Sequence, residues 1–252
     1  VRTTWSPSGA DGSLGDQFRE GLAYVRVRPE MRIAFRLAFS VAGLGAVFAF
    51  SLAAGVADDL FGRGGGGLGV LSTSLGVGSL LASAFISGRG GRMSLAVLER
   101  RSILLYGAGL LVVASSSWLG VGMFGYLLMG GAHMLHGTTL STSLQLRVDE
   151  EFRGRVMSVF LVAILSGIPI GGLAFGVLGD LVGLRWVVLG AGLALWLDVA
   201  VTARRGAFAL LDREVGEAGG PAGAPTGGSA GPFADSPDSG DDRSPTREED
   251  HG

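Results

Sequence analysis

A charged loop followed by a long apolar run decides the fold of this chain: residues 145–172 read QLRVDEEFRGRVMSVFLVAILSGIPIGG. Charged side chains are costly in hydrocarbon, so the densely charged part, which ends at Arg155, marks a membrane surface. The apolar run that begins at Val156 is longer than an ordinary buried strand and long enough to cross a bilayer. The sequence therefore predicts a membrane-spanning helix that starts at this loop.

The composition as a whole is typical of a membrane protein. Of 252 residues, 48% are hydrophobic and 17% are charged, whereas soluble domains carry about 25% charged residues. A formal net charge of −2 gives no electrostatic reason to expect a nucleic-acid partner. The chain has no cysteine, which excludes disulfides, thiolate metal sites and cysteine nucleophiles.

Five further apolar segments can be identified outward from the first. Segments of about 18–24 residues, at ~1.5 Å per residue in a helix, cross a hydrocarbon core of about 30 Å. They are uniformly apolar rather than alternating, which argues against barrel strands. The six segments are Ile33–Val56, Leu68–Ile86, Ser102–Leu119, Val121–Leu144, Val156–Leu178 and Leu184–Val201. We therefore predict an all-α polytopic membrane protein with six transmembrane helices and the lipid bilayer as its surroundings.

The arginines predict the orientation of the chain, because cytoplasmic loops are enriched in basic residues. Alternate loops carry twelve arginines, and the loops on the other side carry only Arg63 and Arg185. The twelve are Arg26, Arg28, Arg32, Arg89, Arg92, Arg100, Arg101, Arg147, Arg153, Arg155, Arg204 and Arg205. We expect a multi-pass protein of the cell membrane with both termini in the cytoplasm.

Three regions are expected along the chain. Residues 1–32 form a cytoplasmic linker with an amphipathic helix at Asp16–Arg28, which is either a membrane-surface helix or a soluble linker helix. Residues 33–203 form the transmembrane domain. Residues 204–252 are rich in Gly, Ala, Pro, Ser and acids, and we expect a disordered cytoplasmic tail.

Three stretches of the chain are similar to the major facilitator superfamily, and in particular to its multidrug and siderophore exporters, which include the enterobactin exporter. Leu146–Ser158, closing on FRGRVMS, resembles the loop between the tenth and eleventh helices of these carriers. Phe18–Arg26 resembles the segment that enters their second half, and Gly179–Trp186 the turn before their last helix. The resemblance covers about residues 16–203.

This resemblance implies the C-terminal six helices of a twelve-helix secondary active carrier, with a 3+3 inverted repeat. Such a carrier is not an enzyme and needs no cofactor. It exports drugs or siderophore-like small molecules, with protons as the expected coupling ion, by alternating access. An N-terminal six-helix half or a second copy of the chain would complete the path. The alternative is a truncated or structural half-length membrane protein that has no transport activity of its own.

The cytoplasmic signature loop of the superfamily usually has an acid followed by Arg, Gly and Arg. The corresponding residues, Ser87–Arg92, contain Arg89 and Arg92 but no acid, so Glu99 is the expected substitute. A gate of ion pairs on the inner face is therefore predicted, unless the arginines only set the topology. It consists of Arg89, Arg92, Glu99, Asp149, Glu150, Arg153 and Arg155.

His133 and His136 lie near the middle of the fourth span, where ionisable side chains usually face a cavity or a partner. Histidine titrates near physiological pH and could carry the coupling proton. At steps of four, His133 is followed by Gly137, Ser141 and Gln145. These five residues form a predicted wall of the substrate and proton path, in which His133 is the expected contact. The alternative is that the histidines are neutral and hydrogen-bonded between helices.

The fifth span contains a predicted hinge at Gly167, Pro169, Gly171 and Gly172. The glycines permit close helix approach, and Pro169 removes one backbone hydrogen bond and favours a kink. Static close packing is the alternative.

Motifs that would indicate enzymatic chemistry do not occur. There is no nucleophile elbow, no His-Glu-x-x-His zinc motif and no phosphate-binding P-loop. Two histidines at His133 and His136 are too few to ligate a metal by themselves, so no metal site is predicted.

Overall fold

The computed structural model describes residues 14–89 and 93–212 of the chain. Within these ranges the protein is built from helices, and no strand occurs. The helices are α1 (Leu14–Val27), α2 (Pro29–Phe50), α3 (Gly64–Arg89), α4 (Leu95–Ser115), α5 (Leu119–Arg147), α6 (Arg153–Val182) and α7 (Leu184–Arg204). This confirms the predicted all-α polytopic fold.

Four of these helices are long and apolar enough to cross a membrane by length and composition, namely α2, α3, α6 and α7. The other two long helices, α4 and α5, have 21 and 29 residues. At ~1.5 Å per residue, each is about 30 Å long or more, which matches the thickness of a bilayer core. α4 carries Glu99, Arg100 and Arg101 in its first two turns, and α5 contains many Gly, Ser, Thr and His residues. These polar residues explain why the two helices are less apolar overall.

Several helices begin earlier than predicted. α4 was expected at Ser102 but begins at Leu95, because the Ser94 hydroxyl caps its first turn by accepting a hydrogen bond from Val97 N at 3.3 Å. Arg100 and Arg101 therefore lie inside the helix rather than in the preceding loop. The first span was expected at Ile33 but begins at Pro29, a residue well suited to the first helical position.

α2 is irregular in its second half. A π-helical turn occupies Ala42–Ala46, and the regular helix ends at Phe50. A short helical turn at Ala53–Gly55 and a second π turn at Val56–Leu60 then lead toward α3. The single long span predicted for Ile33–Val56 is therefore a broken one.

The helices pack through small residues. α4 lies between α5 and α7, and glycines face glycines at both contacts. A Cβ at Gly109 would lie 2.8 Å from the Gly125 carbonyl oxygen, and one at Gly107 would lie 3.0 Å from that of Gly192. Neither contact has room for a side chain, so the glycines set the spacing of these helices.

The loops collect at two ends of the helix bundle, as the predicted topology requires. At one end, the α5–α6 loop meets α1 and the N-terminus of α4 meets the segment after α7. At the opposite end, Arg185 at the start of α7 meets the α4–α5 loop and Leu60. We call the first of these the arginine-rich end.

α3 and α6 carry broad exposed apolar faces. Leu80 on α3 and Leu173 on α6 have exposed fractions of 72% and 76%. Further exposed apolar side chains on these two helices include Val77, Leu81, Leu161, Leu165, Ile170, Val177 and Leu181. Faces of this size are suited to hydrocarbon or to a further helical layer rather than to water.

The chain remains ordered beyond the predicted end of the transmembrane domain. Gly206 adopts a left-handed conformation, with φ of 62°, and reverses the chain into a 3₁₀ helix at Ala207–Leu211. Phe208 and Leu211 are buried, and Asp212 Oδ1 accepts a hydrogen bond from Ala96 N at 3.0 Å. The prediction of a disordered tail from residue 204 is therefore wrong for residues 204–212. We call residues 207–212 the strap. Residues 213–252 of the predicted tail lie outside the described residues.

Candidate functional site

A line of buried polar side chains runs between α4 and α5. On α4 these side chains recur at steps of three and four, and on α5 at steps of three and four as well, so each set occupies one helix face. We call this set the polar seam. It consists of the buried side chains of Glu99, Ser102 and Tyr106 from α4 and of His136, Thr139 and Ser143 from α5, together with the half-buried His133 of α5.

Glu99 and His136 form the centre of the polar seam. His136 Nδ1 lies 2.8 Å from Glu99 Oε1. Glu99 is 0% exposed and His136 is 5% exposed. The second carboxylate oxygen, Glu99 Oε2, is buried and has no hydrogen-bond partner among the described residues. An ionisable pair enclosed in this way is costly to bury and is a candidate for a functional role.

This pair corrects the predicted position of Glu99. The sequence grouped Glu99 with the loop arginines of an inner gate, but in the structure its carboxylate points into the contact with α5. The reason is the early start of α4, which places Glu99 inside the helix and on its buried face. Arg100 and Arg101, the next two residues, are exposed on other faces of the same helix.

His133, the expected contact of the substrate path, has aromatic neighbours. Its ring centroid lies 5.2 Å from that of Phe50 and 6.2 Å from that of Tyr106, both in edge-on geometry. His133 Nδ1 and the Tyr106 hydroxyl are buried without a hydrogen-bond partner among the described residues. His133 therefore lies beside the Tyr106 ring, whose hydroxyl also lacks a partner among the same residues, whereas the carboxylate of Glu99 contacts His136.

The other three residues of the predicted wall do not lie in the polar seam. Gly137 and Gln145 are exposed and Ser141 is half-buried, so this row turns from the α4 contact to the open side of α5. A Cβ at Gly137 would meet nothing within 4 Å. The structure thus brings His133 and His136 together but leaves Gly137, Ser141 and Gln145 on an adjoining surface.

The predicted hinge of α6 lies against the π turn of α2. A Cβ at Gly167 would lie 2.9 Å from Ala42 Cβ, and one at Gly171 would lie 2.7 Å from the Gly43 carbonyl oxygen. Gly172 faces the hydroxyl of Ser51. Pro169 lies inside α6 and is exposed on the side away from this contact. The glycines therefore serve close packing, and bending at Pro169 stays a prediction.

The arginine-rich end is held by ion pairs that join α1 and the residue after it, Arg28, to the α5–α6 loop and the first turn of α6. Asp149 Oδ2 accepts hydrogen bonds from Arg28 Nη2 at 2.8 Å and from the Tyr24 hydroxyl at 3.0 Å. Arg155 pairs with Glu20 at 2.9 Å. Burial raises the pKa of the Tyr24 phenol, so the hydroxyl stays protonated and remains a donor. We call these five residues the clasp.

Only two residues of the predicted gate, Asp149 and Arg155, belong to the clasp. Asp149 and Arg155 are paired as expected of gate residues, but their ion-pair partners are Arg28, which follows α1, and Glu20 in α1. Glu150 and Arg153 are exposed, and neither forms an ion pair within the part of the chain that the structure describes. Arg92 and the side chain of Arg89 lie outside the described residues.

Comparison with known proteins agrees with this architecture. The family model for transmembrane secretion effectors, a branch of the major facilitator superfamily, matches residues 8–213. The chain belongs to this family. No curated protein and no solved structure matches it. This match confirms the predicted membership in the major facilitator superfamily, and it identifies the chain as a membrane transport protein.

Sequence reasoning missed one charged contact of this major facilitator protein. Arg36 on α2 donates to Asp198 and to Thr202 on α7. The available signals were Arg36, which lies about two turns inside α2, and Asp198, the single acid in α7. Their pairing depends on the relative rotation of two helices that are distant in sequence, which the pattern of residues does not give.

Arg185 joins three segments at the opposite end of the transporter. Its guanidinium donates to the carbonyl oxygens of Ala114 at 2.7 Å, Ser116 at 3.0 Å and Leu60 at 3.3 Å. It also donates to the Ser117 hydroxyl at 2.8 Å. These oxygens lie where α4 and the segment after α2 end, so one side chain satisfies carbonyls that helix ends leave unpaired.

Within the described residues, no group of three or more His, Cys, Asp or Glu side chains is arranged to hold a metal ion. Glu99, His133 and His136 approach such a set most closely, but only Glu99 and His136 are in contact.

Proposed function

We propose that this chain is half of a secondary active carrier that exports amphipathic small molecules, such as drugs or siderophore-like compounds, in exchange for protons. The family supports membrane transport in general. The observation that carries the finer proposal is the polar seam, because buried ionisable groups at bilayer depth are expensive and usually mark a substrate or proton path. Alternating access would expose this path to one side of the membrane at a time.

The substrate would contact the surface of α5 that adjoins the polar seam. His133, with an unpartnered nitrogen among aromatic rings, suits a flat or cationic amphipathic molecule that can stack and accept a hydrogen bond. Gly137, Ser141 and Gln145 continue this surface toward the arginine-rich end. Metals and cofactors have no role in this proposal.

Six helices form one wall of such a path, so a second wall is needed. The exposed apolar faces of α3 and α6 support packing against an N-terminal six-helix half or a second copy of the chain. The arginine-rich end would face the cytoplasm of a cell whose plasma membrane holds the protein, because basic residues favour that side.

Transport of ethidium, a flat amphipathic cation, tests the proposal. Inverted membrane vesicles that contain the full chain should accumulate ethidium when their interior is acidified, and a protonophore should abolish the accumulation. His133→Gln should slow it, whereas Ser158→Ala, at the start of α6 and outside the seam, should not. Vesicles that accumulate no more ethidium than vesicles without the protein would favour the non-transporting alternative.

Crosslinking in the same membranes identifies the second wall. Single cysteines introduced on the exposed faces of α3 and α6 should crosslink to another copy if the carrier is a dimer, since the chain has no native cysteine to interfere. Crosslinking to a different six-helix polypeptide would identify the N-terminal half instead.

A further inference from the structure

We propose that the Glu99–His136 pair is the proton-binding site of this carrier, whereas the sequence assigned the coupling proton to His133 and His136 without distinguishing them. This inference rests on the proposed proton-coupled function and narrows it to two side chains. It begins from geometry: a carboxylate and an imidazole lie 2.8 Å apart in the contact of α4 and α5, at 0% and 5% exposure.

The charge of the pair explains how it could bind and release a proton. A glutamate and a neutral imidazole together carry a charge of −1, and one added proton makes the pair neutral, whichever of the two side chains holds it. A buried site that excludes water disfavours a net charge. The enclosed arrangement seen in the structure therefore favours the neutral, protonated pair. When water reaches the pair, the proton can leave to solvent, because water stabilises the carboxylate that remains.

The surroundings leave this pair without a competing charge. The other charged or titratable groups on the elements packed around it are Tyr106, Arg100 and Arg101 on α4, Tyr126, His133 and Arg147 on α5, Glu30, Arg32 and Arg36 on α2, Arg185, Asp198 and Arg204 on α7, and Asp212 on the strap. Arg36 pairs with Asp198, and Arg147 donates to Ser143 and to the Leu211 carbonyl oxygen. Arg100 and Arg101 are exposed on other faces. Glu99 Oε2 has no hydrogen-bond partner among the described residues. No donor from these residues therefore competes with a proton for this oxygen.

His133 is the weaker candidate on the same observations. It has no carboxylate within hydrogen-bond distance, and its neighbours are Phe50 and Tyr106. A proton on His133 would leave an uncompensated positive charge among aromatic rings, whereas a proton on the Glu99–His136 pair removes a charge. His133 therefore suits substrate contact, and His136 suits proton binding.

The strap supplies an entrance that can open and close. It packs on the first turns of α4, and Asp212 caps Ala96, which precedes Glu99 by less than one helical turn. Phe208 and Leu211 of the strap are buried, and Arg147 links the strap to the polar seam by donating to the Leu211 carbonyl oxygen and to the Ser143 hydroxyl. Movement of the strap away from α4 would bring water from the arginine-rich end toward Glu99.

Spectroscopic titration of the purified full chain in detergent tests the site without any transport assay. The infrared band of a protonated carboxylic acid should change when the pH is varied, together with the His136 ring signals in NMR spectra of isotope-labelled protein. Glu99→Gln should remove the infrared change and should leave the ring signals of His133 and of His251 unaffected. Asp180→Asn, an exposed carboxylate on α6, is the matched control and should change neither. An infrared titration that survives in Glu99→Gln, or the absence of both the infrared change and the His136 ring change from the unmodified protein, would overturn the proposal.

Ethidium transport then tests whether the bound proton drives the carrier. Glu99→Gln and His136→Gln should lose accumulation driven by the pH gradient yet retain exchange of ethidium across vesicles without a gradient. Asp180→Asn should retain both. Full gradient-driven accumulation in Glu99→Gln would refute the site while leaving the proposed function intact. Failure of the unmodified protein to move ethidium would count against the proposed function, and the spectroscopic titration would still decide whether the site binds a proton.

Discussion

The contact of α4 with α5 and the contact of α2 with α6 are both close, but they are built from different side chains. The first encloses Glu99 and His136, whose polar atoms keep their partner only in one register of the two helices. The second presses Gly167 and Gly171 against Ala42 and Gly43 with no charged side chain between them. Sliding or bending at the contact of α2 with α6 would lose only dispersion contacts. From this comparison we expect α4 and α5 to move as one unit and α2 and α6 to shift against each other more easily.

The largest expected effect comes from forcing the first contact apart. Gly109→Leu would place a side chain against the backbone of α5, where even a Cβ lies 2.8 Å from the Gly125 carbonyl oxygen. We expect a loss of about 1–3 kcal/mol or more, because the helices must separate. Gly137→Leu, where a Cβ meets nothing within 4 Å, is the control. Thermal unfolding followed by tryptophan fluorescence measures both, and equal midpoints would contradict the packing described.

The register of the first contact can be tested by removing one side of its polar pair. His136→Leu leaves the Glu99 carboxylate buried without its partner, and we expect a loss of about 1–3 kcal/mol. Adding Glu99→Leu should restore part of this stability, since two apolar groups need no partner. A double-mutant cycle in detergent measures the coupling. Strictly additive effects would mean that the two side chains do not depend on each other.

A smaller effect is expected at the clasp. Arg28→Gln removes an ion pair with Asp149 whose side chains are 32% and 59% exposed, so solvent screens much of its energy. We expect a loss of about 0.2–1 kcal/mol that diminishes at high salt. Arg26→Gln, on the exposed side of α1, is the control. A salt-independent loss in Arg28→Gln would point instead to the stacking of its guanidinium on Tyr24.

The smallest effect on stability, and the sharpest test of the second contact, is Pro169→Ala. Pro169 is exposed, so the substitution should change the free energy of unfolding by less than about 0.5 kcal/mol. It restores a backbone hydrogen bond and should stiffen α6, which would slow ethidium transport if this helix bends. Leu173→Ala, also exposed on α6, controls for loss of an outward side chain. Normal transport by a folded Pro169→Ala protein would argue against a hinge.

The fold could be predicted from the sequence because its determinants are local. Apolar runs of bilayer length predict helices regardless of their neighbours, and alternate arginine-rich loops predict which ends of the helices meet. Errors at the boundaries also have local causes. Ser94 caps α4 earlier than its apolar run begins, and Gly206 turns the chain back after α7. Helix boundaries were hardest to predict where charged residues lie inside a helix. Arg100 and Arg101, for example, have the composition of a loop but belong to α4.

The site could be predicted only in part, because it depends on how helices rotate against one another. The sequence identified His133 and His136 by their depth in a span. It could not determine that His136 faces Glu99, or that Arg36 faces Asp198, since each pair joins residues on separate helices. The same limit applies to the clasp, in which α1 and the residue after it supply the partners of Asp149 and Arg155. An acid and a base buried on one face of two neighbouring spans are the signal that would have indicated the first pair.

The hydrogen bond from Ala96 to Asp212 also has a consequence for the order of assembly. Its two residues are 116 positions apart in sequence. During synthesis, α4 emerges and enters the bilayer long before Asp212 has been translated, so its first turn waits without this cap until the seventh helix is complete. The contact of the strap with the first turn of α4 can therefore form only after residue 212 has been translated, and a chain truncated before residue 207 would lack this hydrogen bond.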